Sequence, residues 1–200
     1  MRKAAMRGFS LIEMMAVIGV MLVVTAMAVT MLMPDVNNSR VVTAYNTTLL
    51  ALRQARDISI AQRQVYFVTF VHNAAPPDEI TITQGGSGTV VNTYKLPLDM
   101  AFIIVPGVPT GAGKTPDGFG DGSTAISFDQ GINGGDPDVV YFYPDGSAQD
   151  VNGNVNNGVV YVARAADLYS SRAVTVWGAT GRLRGWRLYN SNGTNYWRQM

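Results

Sequence analysis

The sequence predicts an α+β protein, a long N-terminal helix followed by an antiparallel β domain, on three observations. Residues 14–33 form an apolar run of 20 residues broken only by Thr25 and Thr30. Helical periodicity then continues to about residue 62, and from residue 65 the chain turns into short β-branched and aromatic runs separated by Gly, Pro, Asn and Asp. As a helix rising ~1.5 Å per residue, the apolar run covers about 30 Å, the thickness of a bilayer's hydrocarbon core.

The N-terminal element combines a basic start (Arg2, Lys3, Arg7), Gly8, and a carboxylate, Glu13, at the entrance of the apolar run. Three readings are open. As a secretory signal the segment has basic, apolar and small-residue regions, with Ala26-Met27-Ala28 as a cleavage site that leaves Val29 first. As a plain anchor it is oriented by its basic flank, with residues 1–8 in the cytoplasm and the bulk of the chain outside. Glu13 suits neither, because an acid in an apolar segment costs a few kcal/mol and calls for a partner.

The third reading rests on a resemblance. Arg7-Gly8-Phe9-Ser10-Leu11-Ile12-Glu13-Met14-Met15 resembles the prepilin signature of type IV pilins and type II secretion pseudopilins. The resemblance implies that a prepilin peptidase cuts between Gly8 and Phe9 and methylates Phe9, while the apolar helix stays in the mature protein. Glu13 would then lie four residues after the new α-amine, one helical turn away. Buried opposite charges are tolerable when paired and costly when single. Packed helices can therefore use Glu13 of one subunit against the Phe9 amine of the next to set axial register. A pair within one subunit is the alternative.

Pro34 is expected to kink or end the membrane helix, since it removes a backbone donor. Val42, Tyr45, Leu49, Leu52 and Ala55 recur at three- and four-residue steps and predict an amphipathic helix over 35–62. Arg40, Arg53, Arg56 and Arg63 read as its solvated face. The resemblance implies that this helix continues the membrane helix as a pilin spine against a sheet. Strands are predicted at 65–71, 79–83, 89–95, 101–105, 125–128, 139–143, 159–162, 173–177 and 182–189. The domains expected are a leader (1–8), a transmembrane and assembly helix (9–33), its amphipathic continuation (34–64) and a β-rich globular domain (65–200).

In the β half, Phe142-Tyr143-Pro144-Asp145-Gly146-Ser147, followed after a strand by Val174-Thr-Val-Trp-Gly-Ala-Thr-Gly181-Arg182-Leu183-Arg184, resembles the C-terminal part of GspH/FimT-type minor pseudopilins. Pro144-Asp145-Gly146 also has turn chemistry of its own. Two features depart from that pattern, the Gly- and Pro-rich stretch 106–123 and the 16 residues after Arg184.

Composition narrows the function classes. The chain has no cysteine, which rules out disulfides, thiol catalysis and cysteine metal sites. Loss of Arg2, Lys3 and Arg7 with the leader takes the formal charge from +1 to −2, unlike a generic polyanion binder. Gly111-Ala-Gly113-Lys114-Thr115 mimics a phosphate loop, but Val108 stands where glycine is needed and Pro116 where a helix should begin. Asp150-Val-Asn152-Gly-Asn154 starts like a calcium loop, yet Val155 and Tyr161 replace its glycine and closing glutamate. Asp117, Asp121, Asp136 and Asp138 read as solvated turn acids more readily than as a looser calcium site. The single histidine, His72, falls at the end of a strand and reads as structural. No constellation supports catalysis, a metal or a cofactor.

Arg182, Arg184 and Trp186 would share one face of a strand, offering two guanidinium forks and a flat ring. The resemblance adds that some FimT-type minor pilins bind DNA through their Gly-Arg-x-Arg element, here Gly181-Arg182-Leu183-Arg184. The alternative is pairing with neighbouring subunits. The expectation is a non-enzymatic minor pilin or pseudopilin, single-pass in the bacterial inner membrane with a cytoplasmic N-terminus and a periplasmic domain. Its expected partners are the prepilin peptidase, other pilins in a filament and, in the alternative, DNA. An adhesin-like or capping tip protein, acting through 106–123 and the tail, is a third class.

Overall fold

A computed structural model describes residues 9–111, 113–128 and 138–200, without the side chains of 30–32. Gly8 and Asp136 lie outside the described residues. The chain divides into two units, Met1–Ser39 and Arg40–Met200.

Helix α1, Leu11–Gln62, begins in the first unit. There its apolar side chains are exposed on every side, with Met15, Val20, Met21 and Leu22 all above 60 %. A helix that is apolar all round needs lipid or other helices for cover. It is long and apolar enough to cross a membrane. Thr25 offsets its own polarity by donating to the Met21 carbonyl at 2.7 Å. Pro34 lies inside α1 and does not end it. Proline removes only its own bond to the fourth residue back, and the bonds on either side carry the helix past it.

In the second unit α1 buries Val41, Ala44, Thr48, Ala51, Leu52, Ala55 and Ser59. This stripe is centred on smaller residues than the periodicity predicts: Val42 is exposed, and Tyr45 and Leu49 are only partly buried. Alanine, serine and threonine let the helix axis approach the sheets more closely than a row of leucines would. Thr48 donates to the Ala44 carbonyl, and Ser59 to the carbonyls of Arg56 and Tyr143, so the stripe's hydroxyls are satisfied.

Among the described residues eleven strands follow: β1 (Tyr66–Val71), β2 (Glu79–Gln84), β3 (Val90–Lys95), β4 (Met100–Ala101), β5 (Ile126–Ser127), β6 (Val139–Phe142), β7 (Ala148–Gln149), β8 (Gly158–Arg164), β9 (Arg172–Trp177), β10 (Arg182–Ser191) and β11 (Thr194–Gln199). They form two sheets, ordered β3-β2-β1-β6-β7 and β11-β10-β9-β8-β4, with β5 on β8. Every pairing is antiparallel. The α+β class is therefore the observed one. One core joins both sheets to the buried stripe of α1, through Val68 and Phe70 of β1, Ile80 and Ile82 of β2, Phe142 of β6, Val160 and Val162 of β8, and Val174 and Val176 of β9.

Strand β8 is buried along nearly its whole length because both its faces are covered. Val160 and Val162 face the core, while Val159, Tyr161 and Ala163 face a second layer that includes Ile104, Phe119 and Trp197. This layer explains why the strand predicted over 101–105 is cut short. Only Met100–Ala101 pairs with β8. Residues 103–105 leave the sheet and pack with Val108, Ala163 and Leu188 over its outer side, so their apolar character reflects burial rather than pairing.

The chain after Arg184 is more regular than the strand predicted over 182–189 implies. Strand β10 runs to Ser191, and Asn192 and Gly193, with φ of 51° and 80°, turn it into β11. Asn-Gly is the residue pair this tight hairpin favours. His72 follows β1 directly, and its Nδ1 lies 2.8 Å from the buried carboxylate of Asp78. Asp78 also accepts the backbone N–H groups of Asn73 and Phe102, which ties the 72–78 loop to the start of the second layer.

Candidate functional site

Three places carry the residues singled out by the sequence. At the N-terminus, Glu13 accepts the backbone N–H of Ser10 at 3.2 Å and its hydroxyl at 3.3 Å, and the N–H of Glu13 donates back to that hydroxyl. This is a capping box, which satisfies donors at the helix start and sets a negative charge at the positive end of the helix dipole. The Ser10-x-x-Glu13 spacing carries the signal in the sequence. Phe9 and Ser10 precede the helix and are exposed.

The second place unites the two C-terminal motif elements. A turn closes where the Gly146 N–H donates to the Tyr143 carbonyl at 2.8 Å, with Gly146 at φ 80°. Asp145 accepts both the N–H and the hydroxyl of Ser147, and these bonds hold its carboxyl below the usual range. The β9–β10 turn ends on Gly181 at φ 58°, where a Cβ would lie 2.0 Å from the Gly146 carbonyl oxygen. The two turns therefore press directly on each other. Arg56 of α1 clamps them, donating from Nε to the Gly146 carbonyl and from Nη2 to the Thr180 carbonyl, both at 3.2 Å. Arg56 is thus an inward-facing residue, not part of a solvated face. A cleft of about 200 Å³ beside it is lined by Arg53, Asp57 and Arg182.

The third place is the outer face of β10. Arg182, Arg184 and Trp186 pair across from Trp177, Thr175 and Ala173 and share one face, as predicted. Two of the three are already engaged within the fold. Arg184 bonds Asp117 at 2.6 Å and lies over the Trp177 ring at 5.0 Å. Asp117 accepts two further bonds, from Thr175 Oγ1 at 2.6 Å and Trp177 Nε1 at 3.1 Å. It sits in the one-turn 3-10 helix Pro116–Gly118 at φ 53°, a left-handed conformation that aspartate tolerates. Trp186 Nε1 donates to Thr175 Oγ1 at 3.0 Å. Only Arg182 is exposed.

The C-terminal arginines do not form one patch. Arg187 stands directly opposite Arg172 on one side and Arg198 on the other, on the β10 face that turns Leu183 toward the core. Burial, together with Arg187, lowers the pKa of the Arg172 guanidinium to about 10. Arg187 and Arg198 both lie over the Tyr189 ring, at 5.2 and 5.6 Å.

Of the acids read as solvated turn residues, Asp121 serves the backbone of its own loop, whereas Asp117 is turned inward and taken up by the side chains of Thr175, Trp177 and Arg184. Asp121 accepts the N–H and hydroxyl groups of Ser123 and Thr124. Burial raises its pKa, but these bonds outweigh burial and bring it to about 2. Asp150 likewise accepts from Asn152 and Asn154. Among the described residues no three His, Asp or Glu side chains gather as a metal set.

Sequence reasoning missed Ser10, Arg56, Thr175 and the clamping role of Asp117. For the last three no local signal existed, since the bonds of Arg56 to Thr180, of Thr175 to Asp117 and of Asp117 to Arg184 span 124, 58 and 67 residues. Arg184→Ala is expected to leave Asp117 partly buried without its cation, at a cost of about 2 kcal/mol, or roughly 4–8 °C in Tm for a domain of this size. A melt followed by circular dichroism checks this, and an unchanged Tm contradicts the clamp.

The prokaryotic N-terminal methylation motif matches residues 3–29. No curated protein and no solved structure matches the chain. The motif, leading into an apolar helix that runs on to an antiparallel β domain, makes the chain similar to type IV pilin-like proteins, and the helix is long and apolar enough to cross a membrane.

Proposed function

We propose that the chain is a minor pilin or pseudopilin, a non-enzymatic subunit that helps to prime or cap a type IV pilus or type II secretion filament. The observation that carries this reading is the methylation motif leading into a helix exposed on all sides. Such a helix is covered first by lipid and then by the helices of other subunits. Arg2, Lys3 and Arg7 set residues 1–8 in the cytoplasm and the β domain in the periplasm. The prepilin peptidase cuts between Gly8 and Phe9 and methylates Phe9. In the filament, Glu13 exchanges its Ser10 cap for the Phe9 amine of a neighbour.

The geometry favours a structural part for Gly181-Arg182-Leu183-Arg184 over DNA binding. Gly181 seats one turn on another, and Arg184 with Trp186 is committed to Asp117 and Thr175. Shearing filaments from the cells that make this protein tests the reading: the processed chain is expected in the filament fraction, crosslinkable to other pilins. Its confinement to the membrane fraction under filament-forming conditions contradicts the proposal.

A further inference from the structure

The two segments that depart from the minor pseudopilin pattern meet in space. Pro109, residues 113–118 and the β10–β11 hairpin border an open cavity of about 550 Å³, within the range of small-molecule sites. Trp186 and Trp197, on one face of the hairpin, line its aromatic side, and Lys114, Thr115 and Asp117 its polar side.

Each wall is fixed from behind. Trp186 Nε1 is spent on Thr175 and Trp197 Nε1 on the Pro109 carbonyl at 3.3 Å, so the indoles hold their places and offer carbon surface. The Trp197 ring also packs on Tyr161 at 5.6 Å. Asn195 anchors the opposite segment by donating to the Gly107 carbonyl at 2.9 Å. A pre-formed site loses little ordering entropy when a ligand enters.

Its charge is set by one side chain. Asp117 is neutralised by Arg184, whereas Lys114 is exposed and forms none of the ion pairs found among the described residues. The cavity therefore presents flat aromatic carbon, hydroxyls and one unbalanced cation. A purely apolar ligand would bury the Thr115 hydroxyl and the Lys114 ammonium without partners, which is costly. A pyranose fits both sides: its C–H faces lie against ring faces that carry negative charge density, and its hydroxyls meet the polar wall.

We propose that the cavity between residues 113–118 and the β10–β11 hairpin binds an acidic saccharide, its ring against Trp186 and Trp197 and its carboxylate toward Lys114. The site requires no particular filament, so it stands or falls apart from the assembly role.

Two of the chain's three tryptophans line the cavity, which makes their fluorescence a direct readout. The full chain, held in a detergent without a sugar headgroup, is titrated with trigalacturonic acid and with maltotriose as a neutral comparison. A saturable change is expected with trigalacturonic acid, weaker with maltotriose. Lys114→Ala, at an exposed side chain, should raise the Kd for trigalacturonic acid at least about fivefold. No saturable change with either sugar, equal affinity for both, or an affinity indifferent to Lys114→Ala overturns the proposal.

Discussion

Gly8→Val is expected to leave the chain uncut at its N-terminus, so that processing falls from nearly all of the protein to essentially none. In the resemblance that motivates this, the bond to be cut follows a glycine, and here it joins Gly8 to Phe9. Valine adds a β-branched side chain next to that bond and stiffens the backbone where the peptidase must hold it. The capping box at Ser10 starts the helix at Leu11, so Phe9 lies ahead of it, in chain that a peptidase can grip. Intact mass of the membrane-bound protein reads the result. Removal of residues 1–8 from the variant at the wild-type rate contradicts the assignment of the cut.

Glu13→Ala is expected to do the reverse: cleavage proceeds, and incorporation into filaments falls at least tenfold. Once residues 1–8 are gone, Phe9 carries an α-amine, and burying that amine among apolar helices without an acid costs about 3 kcal/mol or more. Each 1.4 kcal/mol is a tenfold change in the assembly equilibrium. Capping offers a competing explanation, because Glu13 also bonds Ser10, and losing a cap costs about 1 kcal/mol. Glu13→Gln separates the two. Glutamine can still complete a capping box but carries no charge, so a charge-pairing role predicts that it fails as alanine does. Normal recovery of the glutamine protein in sheared filaments would falsify the pairing account.

The signals that single out both positions are local: each lies within a few residues of the basic start and the apolar run. The same holds for the helix end at Gln62 and for strands such as β9, where apolar residues repeat at the helical or extended period. Local patterns mislead where burial comes from distant chain. Residues 103–105 look like a strand because they are apolar, but their cover is Ala163 and Leu188, across the outer face of β8 and β10. Strand β11 escapes a reading by periodicity because its residues, Thr-Asn-Tyr-Trp-Arg-Gln, show no simple alternation of apolar and polar. Its Asn192-Gly193 turn is the available clue.

The candidate DNA element shows the same division. That Arg182, Arg184 and Trp186 share a face follows from strand geometry, and the structure has them there. That Asp117, 67 residues earlier, neutralises Arg184 is not legible, because the connection runs through a loop with no regular period. Likewise the two turn motifs stand out singly in the sequence, while their direct contact and shared clamp, Arg56, belong to the folded chain. The parts that depart from the family pattern are organised too. They build the second layer over β8 and border the cavity of Trp186 and Trp197.

The central claim is that the apolar helix is kept in a mature chain that begins at a processed Phe9. Intact mass and N-terminal fragmentation of the wild-type protein, taken from membranes of cells with an active prepilin peptidase, test it most directly. The expected product is a chain of residues 9–200 whose first residue is N-methylated phenylalanine. A mature chain beginning at Val29, or one still beginning at Met1, contradicts it.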